Sequence, residues 1–256
     1  FGIGFLLISG SAFTFTPRSA AQNPPAGALH TAAQVRGLSV EQAQKHGPVK
    51  LRGVVTFFDE TLFSRFIQAA TAGIYLQEST NPPPLRPGQI VEVEGTTSPG
   101  EYAPIVTPEK VRVIGEGPLP KPKPVTYEEL ASGNEDSQFV EIAGIVRSVQ
   151  LERESQHHRI EIATGGGRLS VYSKLLPVEQ MEDLVDSTIR VRGVCSTKFN
   201  RQRQLFAIRL MVPRAEDLVI EIPAAGDPFA VPTRPIGSLL QFTPWETSGH
   251  RAKVQG

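Results

Sequence analysis

Short runs of alternating apolar and polar residues recur along the chain, and three of them share one pattern. Each has apolar residues at its first and third positions and a glycine at its fifth: Val49–Gly53, Val140–Gly144 and Ala252–Gly256. Because successive side chains of a strand point to opposite faces, the two apolar residues lie on one face. The pattern predicts three equivalent strands, each with a bend or bulge at its glycine.

A second alternating block is shared by residues 86–100 and 185–200. It ends on Gly95 in the first segment and on Gly193 in the second, 98 positions later. Gly53 and Gly144 of the first block are 91 positions apart. The agreement between these spacings indicates a repeat with the length of a whole domain.

The two blocks predict how the chain is divided. Each repeat opens with a short helix-like segment, at Thr31, Thr126 and Ile236, and proline-rich stretches connect the repeats as stiff spacers. The predicted units are repeat 1 at 30–117, repeat 2 at 125–222 and the truncated start of a third repeat at 234–256.

Five strand-like segments in each complete repeat predict the fold. In repeat 2, residues 176–185 between the third and fourth strands have helical spacing. Five short strands with glycine-bent corners favour a mainly β protein of tandem OB-like Greek-key barrels. An SH3-like or sandwich domain stays open as the alternative, because strand count constrains topology only loosely.

The first 29 residues are an apolar leader and an extended linker. Ser19 and Ala21 satisfy the small-x-small requirement of a secretory cleavage site before Gln22. The leader is therefore interpreted as a signal peptide or a membrane anchor, and both interpretations place the rest of the chain outside the cytoplasm. An accidental apolar start on a cytosolic protein is the alternative.

Composition and motifs limit the chemistry. Lys and Arg total 26 and Asp and Glu total 26, so no overall charge draws the chain to nucleic acid or to anionic membrane. Cys195 lies in an alternating run and is interpreted as a buried strand thiol. His157 and His158 would point to opposite faces of a strand, which favours an exposed hairpin edge over a metal site. No catalytic motif is present, so we expect no catalytic residue, no metal and no cofactor.

Two loops carry the candidate binding residues. In repeat 1, Glu101 and Tyr102 lie on a loop stiffened by prolines, where OB folds commonly bind their ligands. The competing interpretation is that Tyr102 packs over the barrel mouth.

The counterpart in repeat 2 is basic. Residues 189–214 contain seven Lys and Arg and no Asp or Glu, with Phe199 and Phe206 interleaved. Such a segment could contact phosphates and stack a base, although a solvated barrel face looks similar. The candidate binding residues here are Lys198, Phe199, Arg201 and Arg203.

Several longer segments resemble a known family. Residues 52–60, 73–78, 85–106 and 127–149 are similar to the tandem OB-like repeats that precede the membrane span of bacterial sensor histidine kinases, and residues 236–256 look like the opening of the next repeat. The resemblance implies a periplasmic, membrane-anchored sensory region of a two-component signalling protein. Its expected partners are a small ligand or a periplasmic protein, and the resemblance allows for a homodimeric parent protein. The kinase's own phosphoacceptor and nucleotide-binding motifs are absent from this sequence, so enzymatic activity could belong only to the parent chain.

Two other functions compete with the sensory one. A tandem OB protein that binds nucleic acid is suggested by the fold and the basic hairpin, but overall neutrality argues against nucleic acid as a partner. A structural spacer that holds a later domain away from the membrane is the third hypothesis.

Overall fold

The computed structural model describes residues 27–78, 83–174, 184–200, 202, 204–227, 229–240 and 250–255. The chain is mainly β, and most of its strands belong to two five-stranded barrels that succeed one another in sequence.

The first barrel is built from five strands in the order β3-β2-β1-β4-β5. They are β1 (Pro48–Asp59), β2 (Ser64–Gln68), β3 (Gly73–Tyr75), β4 (Gln89–Ser98) and β5 (Ile105–Glu116). All four pairings are antiparallel. One parallel bridge, Leu76 to Val106, joins the end of β3 to β5 and closes the ring.

The second barrel has the same connectivity, but its third and fifth strands pair over three residues, where the first barrel has a single bridge. After β6 (Lys123–Pro124) come β7 (Phe139–Glu152), β8 (His157–Thr164), β9 (Gly167–Ser173), β10 (Thr188–Phe199) and β11 (Leu205–Met211). The pairings run β7-β8-β9-β11-β10 and return from β10 to β7, and only β9 and β11 are parallel within this ring.

Both barrels therefore join their strands in the circular order first, second, third, fifth, fourth, first. A closed five-stranded Greek-key ring of this kind is an OB barrel. The prediction of a mainly β chain with OB-like barrels is confirmed. The predicted helix at 176–185 lies mostly outside the described residues.

Short capped helices precede the first strand of each barrel. They are α1 (Ala32–Arg36), α2 (Val40–Ala43) and α3 (Tyr127–Ala131). Thr31 and Gln34 form a capping box at α1, and Thr126 and Glu129 form the same box at α3. The boxes satisfy backbone donors that a helix of one turn otherwise leaves free, which is why such short pieces persist.

Each barrel has its own apolar core, supplied by the inward positions of the alternating strands. Burying one large aliphatic side chain there contributes about 1.5–3 kcal/mol. Strand pairing runs in register through Gly53 and Gly144, and the irregularities lie a few residues later, between Val55 and Phe57 and between Val146 and Ser148. The two glycines are explained by close packing of the backbone. A Cβ on Gly53 would lie 2.9 Å from the carbonyl oxygen of Gln68, and one on Gly144 would lie 2.8 Å from that of Ala163. Glycine permits these close backbone approaches.

After the second barrel the chain continues with less regular structure. It forms a 3₁₀ turn (Ala215–Asp217), β12 (Leu218–Ile222), β13 (Thr233–Pro235), a second 3₁₀ turn (Ile236–Leu240) and β14 (Lys253–Gln255). β12 pairs with the start of β10, and β13 pairs in parallel with β14. The assignment of this last segment to a third repeat stays a prediction. No helix in the described part of the chain is long and apolar enough to span a bilayer.

Candidate functional site

The two barrels pack against each other through a third apolar cluster, called here the inter-barrel interface. Phe57 and Phe66 come from the first barrel, and Phe139, Val194 and Met211 come from the second. All five are at most 5% exposed. In OB barrels the outer face of the second and third strands is the usual ligand face. Here Phe66 of β2 is part of the interface and Tyr75 of β3 packs against it, so the second barrel covers that face of the first.

A charged cluster, called here the Asp59 cluster, joins the barrels beside this interface. Asp59 of β1 forms an ion pair with Lys174, which comes directly after β9, and its Oδ2 lies 3.5 Å from Nε2 of the buried His157. His157 Nδ1 lies 2.8 Å from the carbonyl oxygen of Ser155, which can only accept, so Nδ1 donates. Burial lowers the pKa of His157, although the negative charge of Asp59 opposes that shift. For Asp59, burial favours the neutral acid, but the hydrogen bonds from Lys174 and Thr61 outweigh it and lower the pKa.

Polar backbone contacts fix the barrels elsewhere along the interface. The amide of Gly73 donates to the side-chain oxygen of Gln138 at 2.9 Å. A Cβ on Gly73 would lie 1.9 Å from the carbonyl oxygen of Ser137, so the two backbones meet at a distance that only glycine tolerates.

The structure brings the two predicted loops together. The rings of Tyr102 and Phe199 stack with centroids 3.9 Å apart and planes 4° from parallel. Tyr102 also lies over Gly133, whose backbone has a φ of +79°. Tyr102 therefore contributes to packing between the barrels, and a further role in binding for Tyr102 and Glu101 stays a prediction. Arg201 and Arg203 lie outside the described residues.

Three of the five described cations of the basic run in repeat 2 are paired with acids. Glu141 on β7 accepts from both Arg190 and Arg192 of β10, and Glu221 on β12 accepts from Arg190. Arg214 makes a two-pronged ion pair with the buried Asp217. This part of the run is a solvated, self-compensated barrel face.

Lys198 and Arg209 differ from these and are called here the cation pair. They occupy the outer face of β10 and β11, and neither forms an ion pair with a carboxylate in the described part of the chain. The charge of Arg209 lowers the pKa of Lys198, burial adds to the shift, and Glu101 counteracts it. Burial also lowers the pKa of Arg209. Repulsion and burial therefore disfavour the charged form of Lys198, and burial disfavours that of Arg209.

One nitrogen of the Arg209 guanidinium donates a hydrogen bond and another has no partner among the described residues. Its Nη2 donates to the hydroxyl of Ser196 at 2.9 Å, whereas its buried Nε has no hydrogen-bond partner among the described residues. Its Cζ lies 5.9 Å from the centre of the Tyr172 ring. Arg209 belongs to the basic run in the sequence but not to the predicted site residues. The sequence signal that could have identified Arg209 is alternation along β11, which places it on the same strand face as Ala207 and Met211.

Three other residues singled out in the sequence have clear positions. His157 and His158 are 1% and 4% exposed, so the prediction of an exposed hairpin edge is wrong. For His157 the reason is that the first barrel, through Asp59, covers this end of β8. Cys195 is buried in the second core, as predicted, and burial raises the pKa of its thiol. The described residues hold no group of three or more His, Cys, Asp and Glu suited to a metal ion.

Comparisons with known proteins give structural likeness only. No family model and no curated protein matches the chain. A putative aspartyl-tRNA synthetase from Leishmania major Friedlin is similar over 46% of this chain and 24% of its own, at 12% identity and a TM-score of 0.32. The tetrameric p202 HIN2 structure is similar over 69% of this chain and 93% of its own chain, at 12% identity and a TM-score of 0.29. A murine DNA-binding protein solved with double-stranded DNA is similar over 69% of this chain and 99% of its own chain, at 13% identity and a TM-score of 0.29. This chain spans about a quarter of the synthetase chain.

One expectation is corrected by these comparisons. The sequence predicts a small ligand, a periplasmic protein or a membrane as partner and disfavours nucleic acid. That prediction is wrong, because the structural neighbours include a protein with bound DNA. At a TM-score of 0.29 the likeness carries no argument about this chain's own ligand. The resemblance to sensor kinase repeats has no counterpart in the comparisons and stays untested, as does the periplasmic location.

Proposed function

We propose that this chain is a non-catalytic tandem OB module that binds nucleic acid, with the cation pair of Lys198 and Arg209 as its phosphate contact. The single observation that carries the proposal is the lack of an ion-paired acid at these two residues within the described part of the chain, on a surface where neighbouring arginines are paired.

The energetics of the cation pair favour an anionic ligand. The charge of Arg209 makes the charged form of Lys198 less favourable, and a negative charge placed between the two would relieve this repulsion. Arg209 has a donor nitrogen without a partner among the described residues, and this Nε is buried, so a two-pronged contact of the planar guanidinium with phosphate oxygens requires the side chain to shift. Lys198 adds a flexible point charge beside it.

The surroundings favour a nucleic acid over a small inorganic anion. Lys198 and Arg209 lie on neighbouring strands, two positions apart in register, because Lys198 is opposite Ala207. Two cations spaced in this way suit successive phosphates of one backbone. The aromatic ring of Tyr172 borders Arg209, and base stacking on such rings is a common addition to phosphate contacts.

The proposal is tested by fluorescence anisotropy of the full chain with labelled oligonucleotides at about 50 and about 200 mM salt. We expect binding that weakens with salt. Lys198→Ala should reduce affinity for all sequences and lower the salt slope by about 1. Lys50→Ala is the matched control, because Lys50 is an exposed lysine of the first barrel paired with Glu94 at 2.9 Å. Equal losses in the two variants, or no salt-dependent binding by the unaltered chain, would contradict the proposal.

A further inference from the structure

An exposed phenylalanine stands next to the cation pair. Phe206 on β11 is 63% exposed although it lies within a strand of the second barrel. The pairing of β10 with β11 explains this. Lys198 faces Ala207 and Phe199 faces Leu205, so Phe206 has no residue opposite it on β10. It is the extra residue of a β-bulge, and bulges commonly re-aim a side chain near a functional site.

The end of the hairpin that carries Phe206 is held in place by Asn200. The Asn200 side-chain oxygen accepts from the amides of Gln202 and Gln204 at 3.0 and 2.9 Å. The Asn200 backbone amide donates to the carbonyl oxygen of Gln204 at 2.9 Å. Gln204, which directly precedes β11, is therefore tied to Asn200 at the end of β10, and this reduces the ordering cost of binding at the start of β11.

The ring and the cations are adjacent. Phe206 precedes Ala207, which is opposite Lys198, and Arg209 comes two positions later on the same face as Ala207. A strand whose phosphate contacts Lys198 and Arg209 would pass the part of β11 at which Phe206 is exposed. A flat apolar ring offers nothing to a phosphate, but it stacks on the face of a base.

We infer that the ligand is a single strand and that Phe206 stacks on one of its unpaired bases. The inference rests on the proposed function and makes it more specific. In a duplex both faces of each base are covered by neighbouring pairs, so Phe206 could meet only base edges, sugar and phosphate there and could not stack on a base. In a single strand a base face is free, and removing such a stacking ring typically weakens binding about tenfold or more.

The experiment compares two forms of one sequence, an open oligodeoxynucleotide and the same sequence closed into a hairpin duplex, by anisotropy at constant low salt. The full chain is expected to bind the open form more tightly. Phe206→Ala should weaken that binding about tenfold, and Phe206→Trp should preserve it, because a larger ring still stacks. Phe229→Ala is the matched control, since Phe229 is 74% exposed and lies after the second barrel, and it should change affinity less than about twofold.

The outcomes separate this inference from the proposed function. If Lys198→Ala weakens binding but Phe206→Ala does not, nucleic-acid binding stands and the stacking inference is wrong. Equal affinity for the duplex and the open strand also overturns it. If neither form binds, both proposals fail. The stacking inference is supported if Phe206→Ala loses open-strand binding while Phe229→Ala and Phe206→Trp retain it.

Discussion

The Asp59 cluster and the cation pair both lie where the two barrels meet, but their charges are arranged in opposite ways. Asp59 has a lysine and a histidine from the other barrel around it, and burial is offset by these partners. Lys198 and Arg209 instead repel each other without an ion-paired acid in the described part of the chain. A buried charge that is paired holds two elements together, whereas like charges that repel each other weaken the unliganded state.

This contrast indicates which surface is structural and which is available. The outer face of β2 and β3 in the first barrel is covered by aromatic packing, so it cannot bind a ligand while the barrels are docked. The outer face of β10 and β11 is divided: Val194 and Met211 pack in the inter-barrel interface, and the cation pair follows them along the same two strands. Phe206, further along β11, is exposed. The β2–β3 face of the first barrel is therefore used for assembly, whereas only part of the β10–β11 face of the second barrel is used in this way.

The largest expected effect comes from removing an aromatic ring from the inter-barrel interface. Phe66 is 3% exposed and meets Tyr75 edge-on, with ring centroids 5.3 Å apart. Phe66→Ala should lower the free energy of unfolding by about 3–5 kcal/mol, because it removes buried apolar surface and leaves a cavity. Urea unfolding of the full chain measures it.

Phe63→Ala is the control for that measurement. Phe63 lies three residues earlier but is 65% exposed, and its replacement should change the free energy of unfolding by less than about 0.5 kcal/mol. Similar losses in both variants would show that the barrels do not pack through Phe66.

The next effect concerns pH at the Asp59 cluster. Burial lowers the pKa of His157 in the folded chain, so the unfolded chain binds more protons at mildly acidic pH. The stability contribution is complete above the ordinary histidine pKa of about 6.5 and is lost as pH falls below it. The slope from one such group is at most about 1.4 kcal/mol per pH unit.

His157→Gln should flatten the pH dependence of the free energy of unfolding between about pH 6.5 and pH 5. His30→Gln provides the comparison, because His30 is exposed and its imidazole is not part of the interface. An unchanged slope in His157→Gln would mean that another group causes the acid sensitivity.

Much of the fold is predictable from local patterns in the sequence. Alternation at Val49–Gly53 and Val140–Gly144 marks the first strand of each barrel, and the threonines at 31 and 126 cap the helices before them. These signals are readable because they depend on residues close together in the chain.

The interface and the site depend on contacts that local patterns do not contain. Alternation identifies which face of β2 holds Phe66, but not that a second barrel covers that face. The sequence shows the basic run of repeat 2. It does not show that Glu141 and Glu221 pair with arginines of this run, because those contacts depend on strands that are distant in the sequence. Pairing in space, not composition, separates Lys198 and Arg209 from the other cations.

The smallest expected effect compares one lysine from each charged region. Lys174→Gln removes the ion pair to Asp59 and leaves a largely buried carboxylate beside a neutral imidazole, so it should lower the free energy of unfolding by about 1 kcal/mol. Lys198→Gln removes a charge that repels Arg209, so stability without ligand should change by less than about 0.5 kcal/mol or rise slightly. Urea unfolding without nucleic acid measures both variants. A larger loss in Lys198→Gln than in Lys174→Gln would reverse the comparison, because it would make the cation pair structural and remove the reason to assign it to a ligand.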